Sequence, residues 1–296
     1  MLCFDEMKLK SSLEYDGSRD LIEGLQDLGS SYAKQNLVAD HALVFFVRGL
    51  VTPWKQPFAY YLTHSTVKKE VLSDLLKEVL DSIMGLGLEP KALVCDQGSN
   101  NRSCLQGEFG VNVDNPYLKY KDATVICFYD SPHLLKNVRN NLKDSGYTKH
   151  GHLIDWEHIY QLYMQDCKLA IRQAPRLKKK HFDLPGFTRM NVRLAAQVLS
   201  HSVAKGICFL SSFGVLPSSA ELTAQFCDIF DSLFNVFNSR RIKSSAKFNS
   251  GLTADSEHWQ FLDQTEQYIK KLRPRKLLVQ PCLTGWLENI RALRMH

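Results

Sequence analysis

Apolar and polar positions in the first half of the chain predict a sheet, and the pattern then changes period. Leu2-Cys3-Phe4 and Met7-Lys8-Leu9 alternate like a strand around Asp5. Ser12 to Gly29 reads as a hairpin turning at Asp16-Gly17. Ala42 to Val47 is a strong strand, and Phe58 to Leu62 is a second extended run, preceded by Pro53, Trp54 and Pro57. From Val67 to Leu86 the period is helical, with Val71, Leu72, Leu75, Leu76, Val79, Leu80 and Ile83 on one stripe and Lys68, Lys69, Asp74, Lys77, Glu78 and Asp81 outside it. Ala92–Cys95 and Ala123–Tyr129 are apolar throughout, as strands buried on both faces are. Between them a short helix is predicted from Gln97, then a loop from Gly107 to Pro116. Antiparallel strands, a crossover helix and a parallel strand make a mixed α/β sheet.

Ser131-Pro132 puts a proline in the first turn of a helix running from His133 to Lys143, and the Lys143 to Gly151 stretch breaks the pattern. From Ile154 onward no strand is predicted. Trp156–Ala174, Arg189–Phe209, Ser219–Asn238 and Ser256–Leu272 all have helical periodicity, separated by Pro175, Pro185-Gly186, Pro217 and Gly251. The expected organisation is a mixed-sheet domain over 1–145 and an all-α domain over 146–296.

Composition changes this picture little. At 296 residues and 44% hydrophobic the chain can bury a sizeable core, and a net charge of +6 permits anionic partners without demanding them. The eight cysteines show no C-x-x-C spacing and several sit in apolar runs, so reduced thiols and an intracellular protein are expected. No run of bilayer-spanning length and no signal peptide is read, so no membrane partner is expected. The chain enters a strand within its first residues, which leads us to expect sequence upstream.

The main chemical signal is three acids at strand ends: Asp5, Asp96 and Asp130. Taken alone, an acid after an apolar run is more often a turn or helix-cap residue. Its recurrence is what points to a site, because carboxylates held close together call for a cation, and hard Mg²⁺ prefers such oxygens. Lys136, Arg139 and Lys143 share a helix face, either as a solvated stripe or as phosphate contacts. Arg176-Leu-Lys-Lys-Lys-His181 is a basic cluster read as a nuclear-import signal, a phosphate contact or a solvated loop. Walker, dinucleotide and zinc signatures are absent, the ten histidines are scattered and read as structural, and Cys95 and Cys127 sit too deep in apolar runs to serve as nucleophiles.

Several blocks then resemble the P-element-type transposases and the THAP-domain proteins derived from them. They include Phe4-Asp5-Glu6-Met7, Cys95-Asp96-Gln97-Gly98-Ser99-Asn100-Asn101, Asp130-Ser131-Pro132-His133-Leu134-Leu135-Lys136 with Arg139-Asn140, and Met190 to Ser200. The resemblance runs in order to Gly285-Trp286-Leu287. It implies an RNase H-like catalytic sheet, here incomplete, and a helical insertion that binds GTP. By position Asp5 and Asp96 resemble the catalytic, Mg²⁺-binding acids, with Asp130, His133, Lys136 and Arg139 in support. Phe234 to Arg240 resembles the guanine-reading segment through Asn235 and Asn238. The family has an Asp where Asn235 stands, and an amide presents mixed polarity to guanine, which leaves base preference open.

The implied partners are DNA at transposon ends and a nucleotide, with a possible homo-oligomer, in the nucleus. The implied reaction is Mg²⁺-dependent DNA cleavage and strand transfer. The family's third catalytic acid, a Glu beyond the insertion, and its amino-terminal zinc-dependent domain find no match, and Glu257, Glu266 and Glu288 do not stand in for that acid. The chain is thus expected to be a fragment or derivative with little cleavage of its own. The alternative is a domesticated, non-catalytic nucleotide- or protein-binding module.

Overall fold

In the computed structural model, the structure describes residues 1–33, 35–239, 242, 244, 248–276 and 280–295. Two compact units emerge, one made of Met1–Asp130 with the chain from Arg291, the other of Ser131–Ile290.

The first unit is built on β1 (Leu2–Lys8), β2 (Glu14–Asp16), β3 (Leu21–Glu23), β4 (His41–Arg48), β5 (Lys55–Thr63), α1 (Lys69–Gly85), β6 (Ala92–Cys95), α2 (Ser99–Phe109), β7 (Tyr117–Tyr120) and β8 (Ala123–Tyr129). Six strands form one sheet in the order β5-β4-β1-β6-β8-β7. β1 runs antiparallel to β4 and parallel to β6, and β6 runs parallel to β8. Pro57 sits on the edge strand β5 at a register shift between Phe45 and Phe46, where its missing N–H costs the ladder least. The expected stripe of α1 is buried except at its first position: Val71 is half-buried, while Leu72, Leu75, Leu76, Val79, Leu80 and Ile83 are each at most 2% exposed. At about 1.5–3 kcal/mol per buried side chain, that stripe is what seats the helix.

The hairpin read at Asp16-Gly17 forms, with Tyr15 opposite Ile22. One strand was not anticipated. β7, which pairs antiparallel with β8, follows directly on the loop read between Gly107 and Pro116. Tyr117-Leu-Lys-Tyr120 is too short for a period to show.

The second unit contains α3 (Ser131–Asp144), β9 (Tyr147–Lys149), β10 (His152–Ile154), α4 (Trp156–Asp166), a 3-10 turn at Lys179–His181, α5 (Gly186–Arg189), α6 (Val192–Val198), α7 (His201–Ser212), α8 (Ala220–Phe237), α9 (His258–Lys271), β11 (Leu272–Pro274) and α10, which begins at Pro281 and ends at Leu293. It is mainly helical, with a small antiparallel sheet in the order β10-β9-β11. β11 falls in the stretch where no strand was expected; three residues paired with β9 carry no periodicity of their own.

The helix expected to reach Ala174 stops at Asp166. The fully buried Asp166 carboxylate accepts the N–H groups of Gln173 (2.5 Å) and Ala174 (3.1 Å) and the Arg172 Nε–H (3.1 Å), folding the chain back before Pro175. The helix expected over Arg189–Phe209 is two, because Asn191 caps α6 and Ser200 caps α7 with their side-chain oxygens. By length and composition Val192–Ser212 is apolar enough to cross a membrane, which corrects the expectation that no run reaches that length; half of that window is buried inside the unit.

Candidate functional site

The parallel registers set three acids side by side. β1 pairs with β6 through Leu2 opposite Leu93 and Cys3 opposite Val94, and continuing that register brings Asp5 level with Asp96. β6 pairs with β8 through Cys95 opposite Tyr129, and the next step brings Asp96 level with Asp130, whose N–H donates to Cys95 O at 2.8 Å. Neighbouring strands stand about 4.8 Å apart, so the three positions line up side by side at one end of the sheet. Asp5 is exposed, whereas Asp96 and Asp130 are half-buried.

The local sequence fixes how each acid is held. Asp96 Oδ1 accepts the Asn101 side-chain amide at 2.6 Å and the Gly98 N–H at 3.0 Å, so the turn Asp96-Gln97-Gly98 into α2 orients the carboxylate. Asp5 Oδ1 accepts the N–H of Glu6 at 2.9 Å. Glu6 was not singled out from sequence, yet it belongs to the same electrostatic cluster. Burial pushes its pKa up, the Val67 N–H at 2.8 Å and His41 oppose this, and the negative fields of Asp96 and Asp5 add to it. Its signal was an acid next to Asp5 in an otherwise apolar strand. Cys95 is buried and its thiol is pushed well up, first by desolvation, in keeping with an inert cysteine.

Hard carboxylate oxygens in a row suit Mg²⁺ by ligand type. Among the described residues, however, no three His, Cys, Asp or Glu side chains gather tightly enough to enclose a cation.

The helix α3 places the support residues differently from one another. His133 and Lys136 are half-buried. Arg139 is fully buried, which rules out a solvated stripe along that face. Its Nε donates to Asn140 Oδ1 at 2.8 Å and its Nη2 to Arg189 O at 2.9 Å, while Nη1 has no partner among the described residues. Burial, aided by the charge of Arg189, pushes the guanidinium down to about 10. Lys143 donates to Phe182 O at 2.5 Å. Arg139 and Lys143 thus tie α3 to the Phe182–Arg189 segment.

A second feature lies wholly in the helical unit. A cavity of about 400 Å³ is lined by Arg176, Lys178 and Lys180 from the basic cluster and by Asn191, Arg193, Leu194 and Gln197 from the start of α6. Four cations from two chain segments converge there, and the volume is that of a small-ligand pocket. The basic cluster is thus the rim of a cavity. Asn235 lies on α8 and donates to Asp231 Oδ2 at 3.4 Å, while Asn238 is exposed at the helix end. Asp231 is half-buried and its carboxyl is pushed up, first by desolvation, with the field of Arg176 among the opposing influences. Asp231 thus feels the charge of Arg176 on the cavity rim, while neither Asn235 nor Asn238 is among the residues lining the cavity.

A mixed sheet of this strand order, with an acid on the first strand beside acids at two parallel strand ends, defines an RNase H-like domain. The family model "TNP-like, RNase H N-terminal domain" matches residues 1–107, and "TNP-like, GTP-binding insertion domain" matches 132–250. The chain belongs to the P-element-type transposase family.

It is 28% identical over 243 residues to the Transposable element P transposase of Drosophila melanogaster, covering 81% of this chain and 30% of that protein. It is 22% identical over 250 residues to the DNA transposase THAP9 of Homo sapiens, covering 81% and 27%. The chain thus spans less than a third of either relative's length. Among solved structures, the Drosophila P element transposase strand transfer complex matches with a TM-score of 0.81 and 26% identity, over 99% of this chain and 63% of that one.

Proposed function

We propose that residues 1–145 are part of the catalytic domain of a nuclear, P-element-like DNA transposase, and that 146–296 are its nucleotide-binding insertion. The observation that carries this reading is the alignment of Asp5, on β1, with Asp96 and Asp130, each directly after the end of an adjoining parallel strand. Asp5 and Asp96 would hold Mg²⁺, which when bound supplies Lewis-acid stabilisation of the phosphate being cut. Asp130 stands beside them, and Asn101 and Gly98 hold the Asp96 carboxylate in one orientation. His133 and Lys136 follow Asp130 in the chain as the proposed supporting residues, whereas Arg139, proposed with them from the resemblance, is held inside the helical unit by Arg189 O and Asn140. Two ligands bind a cation weakly, so weak cleavage is expected from the residues described. The test is Mg²⁺-dependent nicking and joining of duplex DNA by the purified protein. Any cleavage that persists in Asp5→Asn and Asp96→Asn alike refutes the site.

The second reading is a nucleotide-binding module without catalysis, and it rests on the cavity rimmed by Arg176, Lys178, Lys180 and Arg193. Such a rim suits the phosphates of GTP, with Asn235 and Asn238 toward the base. Nucleotide binding without DNA cleavage favours this reading; cleavage dependent on Asp96 removes it.

A further inference from the structure

We propose that Gln197 is a neutral donor to the phosphate oxygens of the bound nucleotide, and that buried His181 is the positioning residue that gives it this role. The inference rests on reading the basic cavity as a nucleotide site.

His181 is fully buried beneath the cavity rim. Its Nδ1 lies 3.0 Å from the backbone N of Lys178, and its Nε2 lies 2.9 Å from Gln197 Oε1. An N–H can only donate, so Nδ1 accepts there and the imidazole proton sits on Nε2. The Lys178 carbonyl, also 3.0 Å from Nδ1, already accepts the backbone N–H of His181 at 2.9 Å. The opposite tautomer would take that acceptor from the part-buried Lys178 N–H. The Nε2 proton therefore goes to Gln197 Oε1, and the imidazole holds the oxygen end of that amide. What Gln197 has left to turn toward the cavity is its NH2 group.

Asn191, on the same wall, is in the same condition. Its Oδ1 accepts the Leu194 N–H at 3.1 Å as the cap of α6, leaving its own NH2. With Arg176, Lys178, Lys180 and Arg193, every polar side chain lining the cavity then presents donors. A wall of donors suits a ligand whose outer atoms are all acceptors, and a chain of phosphates is such a ligand. A nucleoside face, with N–H groups of its own, would meet no acceptor there.

The experiment is calorimetric titration of the full chain with GTP, GDP and GMP, for the wild type and a small set of variants. Gln197→Glu keeps the acceptor that His181 needs and replaces the donor with a charge of the wrong sign. GTP affinity should fall about tenfold or more, and GMP affinity should fall less. Gln197→Met, which removes the donor without adding charge, covers the case in which the Glu variant does not fold, and should weaken GTP by several-fold. His181→Phe cannot hold the amide and should reproduce the Met result. His181→Gln, which can still donate to Gln197 Oε1, should restore part of the loss. If Arg193→Ala weakens GTP while both Gln197 variants bind it within about twofold of wild type, the role of Gln197 is refuted and the pocket reading stands. If the wild type binds none of the three nucleotides, the pocket reading fails and takes this one with it.

Discussion

The side-chain amide of Asn101 donates to Asp96 Oδ1 across 2.6 Å, and the backbone N–H of Gly98 reaches the same oxygen at 3.0 Å. The candidate acid is thus also the residue that folds the turn between β6 and α2. Its two roles can be separated, because an asparagine at this position keeps an oxygen able to accept both bonds. Asp96→Asn should stay within about 1 kcal/mol of wild type in urea unfolding, whereas Asp96→Ala, which strands both donors, should cost about 1–2 kcal/mol. Both should lose metal-dependent cleavage. Equal stability losses in the two variants would mean that the turn does not depend on these bonds.

Asn101→Leu asks a different question of the same pair. It keeps volume, leaves the Gly98 bond in place and removes the donor that fixes the carboxylate. Partners of this kind, one step behind a ligand, are worth about 10–100-fold in metal affinity or activity. The expected result is a loss of that size in Mg²⁺-dependent cleavage with an unchanged melting temperature. Wild-type cleavage by Asn101→Leu would assign the amide a purely local role.

The cavity rim makes its own forecast. Arg193→Glu turns one of four converging cations into an anion and should abolish nucleotide binding in calorimetry, while DNA cleavage by the sheet residues is unaffected in the absence of nucleotide. Nucleotide bound by Arg193→Glu at wild-type affinity would remove the cavity from consideration.

What could be read from sequence follows from period and length. α1 shows its stripe over more than three turns, and the runs ending before Asp96 and Asp130 are apolar enough to announce buried strands, so the strand-end acids are legible in the sequence. The cavity was not. Arg176, Lys178 and Lys180 look like a solvated loop until Asp166, through the N–H groups of Gln173 and Ala174, turns that loop back so that it can meet α6. Arg139 misled for a related reason: its charge suggests an exposed face, and only tertiary contacts with Arg189 O and Asn140 draw it inside. Long-range placement of a polar residue leaves no periodic trace.

His158 predicts a pH dependence. It is buried, and desolvation pushes its imidazole below the ordinary value of 6.5, the nearby carboxylates of Asp155 and Glu157 opposing this. Thr223 Oγ1 accepts the Asp155 N–H at 3.1 Å and lies within hydrogen-bond distance, 2.9 Å, of His158 Nδ1, which holds the ring in its buried place. As pH falls below 6.5 the unfolded chain takes up a proton that the folded one resists. Stability should therefore drop as pH falls from 6.5 toward the lowered folded value, and should be insensitive to this group above 6.5. Melting temperatures of wild type and His158→Asn, taken between about pH 5 and pH 8, should converge at the acid end. A constant gap across that range would contradict the assignment.

Trp286 tests whether α10 belongs to the core of the helical unit, a helix the sequence reading did not mark. It is fully buried, its ring 5.5 Å from Phe237 and 6.3 Å from Phe230. Phe230 in turn packs on Phe226 at 4.6 Å, and Phe226 on Tyr147 at 5.1 Å, so one aromatic chain joins α10, α8 and β9. Trp286→Ala removes its terminal ring and should cost about 3–5 kcal/mol. That is much of the stability of a typical domain, so chemical denaturation should show the helical unit unfolding early or without cooperativity. Trp286→Phe, which keeps an aromatic in the same place, should recover most of the loss. If Trp286→Ala unfolds within about 1 kcal/mol of wild type, α10 is peripheral and the aromatic chain ends at Phe230.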